Sequence, residues 1–153
     1  MMITLRPVTR DNYIECCKLE VYQNQREYVA PNVFSLAQSK FEPCTPLAIY
    51  RNDTMIGFGL YGVDEKRAQN WIFRFMLGRQ YQGKGWGKQA FECFLKEVEK
   101  TPGYDKVYLS VNLKNEAAQH VYRSFGFCET GEMADEVEKI MAKPHSAADI
   151  CKN

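Results

Sequence analysis

Histidine is scarce: only His120 and His145 occur in the 153 residues, and none of the six cysteines stands in a C-x-x-C pair, so no zinc spacing and no metal site are expected. An excess of charge of one sign is missing too. Twenty Lys and Arg against nineteen Asp and Glu leave +1, which gives no global field to gather nucleic acid or an anionic membrane. Any charged ligand has to be held locally. No apolar run approaches the roughly 18 residues of a membrane span, and the opening MMITLRPVTRDNY shows no basic-then-apolar leader. Linkers, repeats and low-complexity stretches are absent. What remains is a chain with 45% hydrophobic and 13% aromatic residues, read as one globular domain over 1–153. A reducing cytoplasm is the expected compartment, with the cysteines mostly acting as small apolar packers.

Periodicity sets out the elements. MITLRPV (2–8) reads as a strand, followed by a helix through RDNYIECCKLEV with Thr9 as its N-cap. Around Pro31 one or two short helices are expected, with Ser35 as a possible cap. Residues 46–62 form a hairpin turning at Asn52 and Asp53. NWIFRFMLG (70–78) is a nearly unbroken apolar strand, as a strand covered on both faces should be. Trp86, Ala90, Phe94, Leu95 and Val98 fall at helical spacing, stopped by Pro102 and Gly103. DKVYLSV is the next strand, and a helix starts near Asn115 and ends by Gly126. A short strand FCE and a final alternating strand VEKIMAK, placed at an exposed edge, complete the order, with a loose tail after it. The succession predicts a mixed α/β sheet with helices on both faces.

RQYQGKGWGKQAF (79–91) puts glycines at 83, 85 and 87 between that apolar strand and a helix. Such a junction gathers unpaired backbone N–H groups and the positive end of a helix dipole at one point, which suits an anion. Lys84, Lys88 and Arg79 could add charge. A bland strand-to-helix turn uses glycine as well. The nucleotide-triphosphate template fails because Gln89 follows Lys88 where a hydroxyl is required, and the dinucleotide template fails because its third glycine comes one residue early.

Q-x-x-G-x-G does fit, as Gln82, Gly85 and Gly87, and N-x-x-A-x-x-x-Y-x-x-x-G-F fits Asn115, Ala118, Tyr122, Gly126 and Phe127. This pair of motifs resembles the signature of the GNAT superfamily of N-acetyltransferases, and the order of elements agrees over nearly the whole chain. The resemblance implies a mostly antiparallel sheet whose fourth and fifth strands splay, with acetyl-CoA as co-substrate in the gap. It implies that the backbone of Phe75, Met76 and Leu77 pairs with the pantetheine arm. The amides of Gln82, Gly83, Lys84, Gly85, Trp86, Gly87 and Lys88 would hold the pyrophosphate. Asn115 and Ala118 would lie along the cofactor, Asn115 being equally readable as a plain helix cap. Tyr122 would give a proton to the departing thiolate, by direct transfer without a covalent enzyme intermediate. Many members carry a carboxylate base on the strand before the loop; NWIFRFML has none. Asp64, Glu65, Glu20 and Glu27 are the candidates in nearby segments, and Arg74 is expected to pair with a carboxylate.

Within the superfamily, Val29, Ala30, Asn32 and Ser35, together with Tyr81 to Lys88, resemble stretches of the bacterial spermine/spermidine acetyltransferases. That resemblance implies a polyamine substrate, held by acids and aromatics among Glu20, Glu27, Glu42, Tyr28, Phe34, Tyr50 and Tyr61. A small-molecule amine acetyltransferase is the favoured reading, with a peptide or protein N-acetyltransferase and a non-catalytic acyl-CoA-binding domain as alternatives. A homodimer is a possible assembly; neither nucleic acid nor membrane is an expected partner.

Overall fold

The computed structural model describes residues 2–145. Seven strands form one sheet in the order β1-β2-β3-β4-β5-β7-β6, with ranges β1 Ile3–Pro7, β2 Cys44–Arg51, β3 Thr54–Asp64, β4 Gln69–Leu77, β5 Lys106–Asn112, β6 Cys128–Met133 and β7 Glu138–Pro144. Every neighbouring pair is antiparallel except β4–β5. The hairpin β2–β3 turns at Asn52, which holds φ 55°, a left-handed value that asparagine tolerates.

Four helices cover the sheet: α1 Tyr13–Lys18, α2 Asn32–Phe41, α3 Trp86–Glu99 and α4 Glu116–Ser124. Phe91, Phe94, Leu95 and Val98 of α3 pack with Ile72, Val107, Leu109, Val111 and Met141, and Ala118 and Tyr122 of α4, with Phe125 just after it, join that cluster. On the other side Cys16 and Leu36, from α1 and α2, meet Ala48, Tyr50, Phe58, Leu60 and Met76. Each buried face removes apolar area from water at about 25 cal/mol per Å², which holds the layers together. Asn70, fully buried at the start of β4, donates from Nδ2 to the carbonyl of Val98 at 2.9 Å and so ties β4 to the end of α3.

The structure departs from the sequence reading in several places. The first helix is shorter than 10–21: Asn12, not Thr9, stands at its N-cap position, without a side-chain capping bond. The Asn12 side chain accepts from Thr9 N at 2.7 Å and donates to Pro7 O at 3.1 Å, and this local bonding holds the preceding residues in a turn. Ser35 lies fully buried inside α2, which begins right after Pro31. The final strand is not an edge. β7 inserts between β5 and β6, leaving β6 and β1 outside. Cys16, Cys17, Cys44 and Cys93 are free thiols, whereas Cys128 is disulfide-bonded and so is no simple packer. The expected loose tail falls outside the described residues, apart from its start at Pro144 and His145.

Candidate active site

Two residue pairs, Asn70–Val107 and Trp71–Tyr108, are all that join β4 to β5. Beyond them the strands part. A cause lies in the β3–β4 register, which runs from Leu60–Arg74 to Tyr61–Ile72 and skips Phe73, a bulge that bends β4. The bulge falls just past the last β4–β5 pair.

The opening is a cleft of about 610 Å³, the size of an ordinary ligand site. Its floor and lips come from Phe75, Met76 and Leu77 on β4, Leu109 to Asn112 on β5, and Asn115, Ala118 and Tyr122 from α4. The loop Gln82, Gly83, Gly85, Gly87 and Lys88 closes one end. Gly83 and Gly85 hold φ of 74° and 81°, which side chains rarely adopt, and no heavy atom lies within 4 Å of where a Cβ would stand. Gly85 is the N-cap of the 14-residue α3 and provides no side-chain acceptor, so the first amides of α3 lack one. A strain-prone loop with open space and unsatisfied N–H groups fits a diphosphate, and the parted strands fit an extended arm.

Of the other residues expected at the cofactor, Lys84 and Trp86 are not among the lining residues. Trp86 is gripped by Arg51, whose guanidinium lies 4.3 Å from the ring centroid, with Lys84 Nζ at 5.6 Å. The side chain of Gln82 is engaged in bracing: its Nε2 donates to Leu77 O at 3.0 Å and to Gln25 Oε1 at 3.0 Å. Asn115 lines the cleft and also caps α4, accepting from Ala118 N at 3.3 Å.

Tyr122 reaches the cleft from α4, packed against Phe91 at 5.4 Å and Phe127 at 5.9 Å between ring centroids. Burial, aided by the negative charge of Glu138, pushes its phenol up to about 12, so it stays protonated at any ordinary pH. A protonated phenol is a proton donor.

The acceptor-side candidates divide. Tyr28 lines the cleft; Glu20, Glu27 and Phe34 do not. Glu20 pairs with Arg26 at 3.6 Å, and Phe34 lies exposed, 6.0 Å from the Arg74 guanidinium. Asp64 is spent on its own turn, accepting from Lys66 N and Arg67 N and pairing with Arg67 at 3.1 Å. Glu42, Tyr50 and Tyr61 also lie off the cleft. Arg74 does line it, but without the expected carboxylate within ion-pair distance among the described residues; it donates to Phe73 O at 2.8 Å and Gln38 Oε1 at 3.2 Å.

Polar lining residues that sequence reasoning missed include Gln25, Ser110, Asn112 and Glu138. Glu138 is the one carboxylate among the lining residues, and Ser110 Oγ donates to its Oε1 at 2.6 Å. The sequence hides it, because on an edge strand an alternating Glu is a solvated charge, and only the pairing of β7 with β5 brings this one into the cleft.

A sheet parted between its one parallel pair, with a glycine loop at one end and a buried, protonated phenol at the side, makes one cleft. The chain belongs to the acetyltransferase (GNAT) family, whose model matches residues 9–127. It is thus an N-acetyltransferase, in a family whose acetyl donor is acetyl-CoA. It is 32% identical over 152 residues to the spermine/spermidine N(1)-acetyltransferase of Bacillus subtilis, covering 94% of this chain and 99% of that one. Among solved structures, spermidine N-acetyltransferase from Vibrio cholerae in complex with CoA and spermine superposes with a TM-score of 0.75 at 18% identity, over 94% of this chain and 95% of that one. PaiA N-acetyltransferase from Thermoplasma acidophilum in complex with coenzyme A gives 0.66 at 21% identity, over 94% and 99%. The mixed, mostly antiparallel fold expected above is the one these structures share.

Proposed function

We propose that this chain transfers the acetyl group of acetyl-CoA to a primary amine of a polyamine such as spermidine or spermine. The observation that carries the reading is the cleft itself, in which the parted β4 and β5, the Gln82–Lys88 loop and Tyr122 meet. The choice of amine is supported by the near end-to-end likeness to the Bacillus subtilis enzyme.

In this reading the backbone of Phe75, Met76 and Leu77 pairs with the pantetheine arm and the loop amides hold the diphosphate, with Lys88 adding charge from the cleft wall. Asn115 and Ala118 flank the arm. Acetyl-CoA supplies an activated thioester. A backbone N–H of the parted strand polarises the carbonyl oxygen as the amine attacks. Tyr122 then protonates the leaving sulfur. Tyr28 provides an aromatic wall for a methylene stem, while Glu20, Glu27 and Phe34 sit outside the cleft, where they could meet only the distal part of a long substrate. The domain is proposed to act as one unit over 1–153, in the cytoplasm, as a homodimer. Among the described residues no helix is long and apolar enough to cross a membrane.

The test is release of CoA thiol from acetyl-CoA by purified protein with spermidine, spermine, amino acids, aminoglycosides and a lysine peptide. Turnover concentrated on the polyamines is expected. Preference for the peptide would overturn the substrate class and leave the cofactor site standing.

A further inference from the structure

An amine reaches the enzyme protonated, and the family's usual strand carboxylate is missing from β4, so the proton has no assigned acceptor. The sheet's alternation supplies one. Leu109 and Val111 of β5 and Met141 of β7 pack in the α3 cluster. Side chains one or three residues away point to the opposite face. Ser110 and Glu138 therefore stand on the α1–α2 side of the sheet, while Tyr122 packs with Phe91 on the α3 side. They line one cleft from opposite sides.

We propose that Glu138, held by Ser110, receives the ammonium of the acceptor amine and takes its proton. The proposal rests on the acetyltransferase reading above. Ser110 occupies one carboxylate oxygen at 2.6 Å, and no Lys or Arg among the described residues lies within ion-pair distance of the other. The backbone N–H of Glu138 is fixed by Asp135 Oδ1 at 2.7 Å. The charged or titratable groups facing it are Tyr122 from α4, Arg74 from β4 and Asp135 in the preceding turn. Its charge is felt by the first two, raising the phenol and opposing the drop that burial imposes on the guanidinium.

The protons balance. One passes from the ammonium nitrogen to Glu138 and on to solvent, freeing the lone pair. That pair forms the N–C bond to the acetyl carbon, and the C–S bond breaks with its electrons on sulfur. Sulfur takes the Tyr122 proton, and the second nitrogen proton restores Tyr122. An ammonium and a thioester become an amide, a thiol and one released proton.

The experiment compares wild type, Glu138→Gln and Glu138→Asp by acetyl-CoA titration and by kcat/KM for the best amine across pH. Glu138→Gln should bind acetyl-CoA as wild type does and lose about 100-fold or more in kcat/KM near neutrality. It should recover rate as pH rises toward the pKa of the amine, which then arrives neutral. Glu138→Asp, with its charge kept one methylene short, should fall between. A Glu138→Gln loss under about threefold, a loss constant with pH, or weakened acetyl-CoA binding in both variants would overturn the assignment. If wild type turns over no amine, the acetyltransferase reading itself fails, a different result.

Discussion

Gln25 and Gln82 form a reciprocal amide pair, each Nε2 donating to the other's Oε1 at 3.1 and 3.0 Å, and so join the segment before α2 to the glycine loop before α3. Tyr22 N adds a third bond at Gln25 Oε1, 3.1 Å. The loop is therefore braced from the acceptor side of the protein. Gln25→Ala should cost about 1 kcal/mol, roughly 2–4 °C in Tm, and raise the KM for acetyl-CoA although Gln25 stands 57 residues from its partner. Thermal melts and a cofactor titration check both.

Gly85→Glu should abolish acetyl-CoA binding. The left-handed φ of 81° penalises any side chain by about 1–2 kcal/mol, and the new carboxylate would stand at an anion site. A Kd weakened by less than about tenfold, or 1.4 kcal/mol, would contradict the placement of the diphosphate.

Tyr122→Phe should lower kcat by about 100-fold with the affinity for acetyl-CoA unchanged, measured by single-turnover kinetics and calorimetry. Unchanged turnover would remove its acid role. The phenol also bears on stability. Its folded value of about 12 exceeds the ordinary 10, so the stability it contributes is full below pH 10 and is lost as pH rises toward 12. Denaturant melts at pH 9, 10 and 11 should show a smaller alkaline loss for the Phe variant.

Asn32 is buried and donates from Nδ2 to Cys16 O at 2.9 Å, pinning α2 to α1. Asn32→Ala leaves that carbonyl without this donor and should cost about 1–3 kcal/mol by chemical denaturation. In the Val29, Ala30, Asn32 and Ser35 stretch that resembles the polyamine enzymes, Val29 lines the cleft, whereas Asn32 and Ser35 are buried and Asn32 joins the two helices.

Local signals carried the glycine loop and the helix of Tyr122, since both motifs are short and each stays on one element. The hairpin at Asn52 and the apolar face of α3 were legible for the same reason. Glu138 was not, because its meaning depends on β7 lying beside β5, a pairing between segments 26 or more residues apart that no local pattern records. Gln25 fails likewise. Thr9 and Ser35 mislead because cap-forming residues in sequence compete with their neighbours: Thr9 is held in a turn by Asn12, so the helix starts later, and Pro31 starts α2 early enough to bury Ser35.

The two pairs Asn70–Val107 and Trp71–Tyr108 are also a seam between two half-sheets, β1 to β4 and β5 to β6. A ligand that pairs with both lips works as a stitch across it. Those backbone amides of residues 72–77 and 109–112 that face the gap, rather than β3 or β7, should therefore exchange with deuterated water faster than those of β2 and β3 in the free protein. They should slow together once the cofactor is bound, as one elongated patch running through the middle of the sheet.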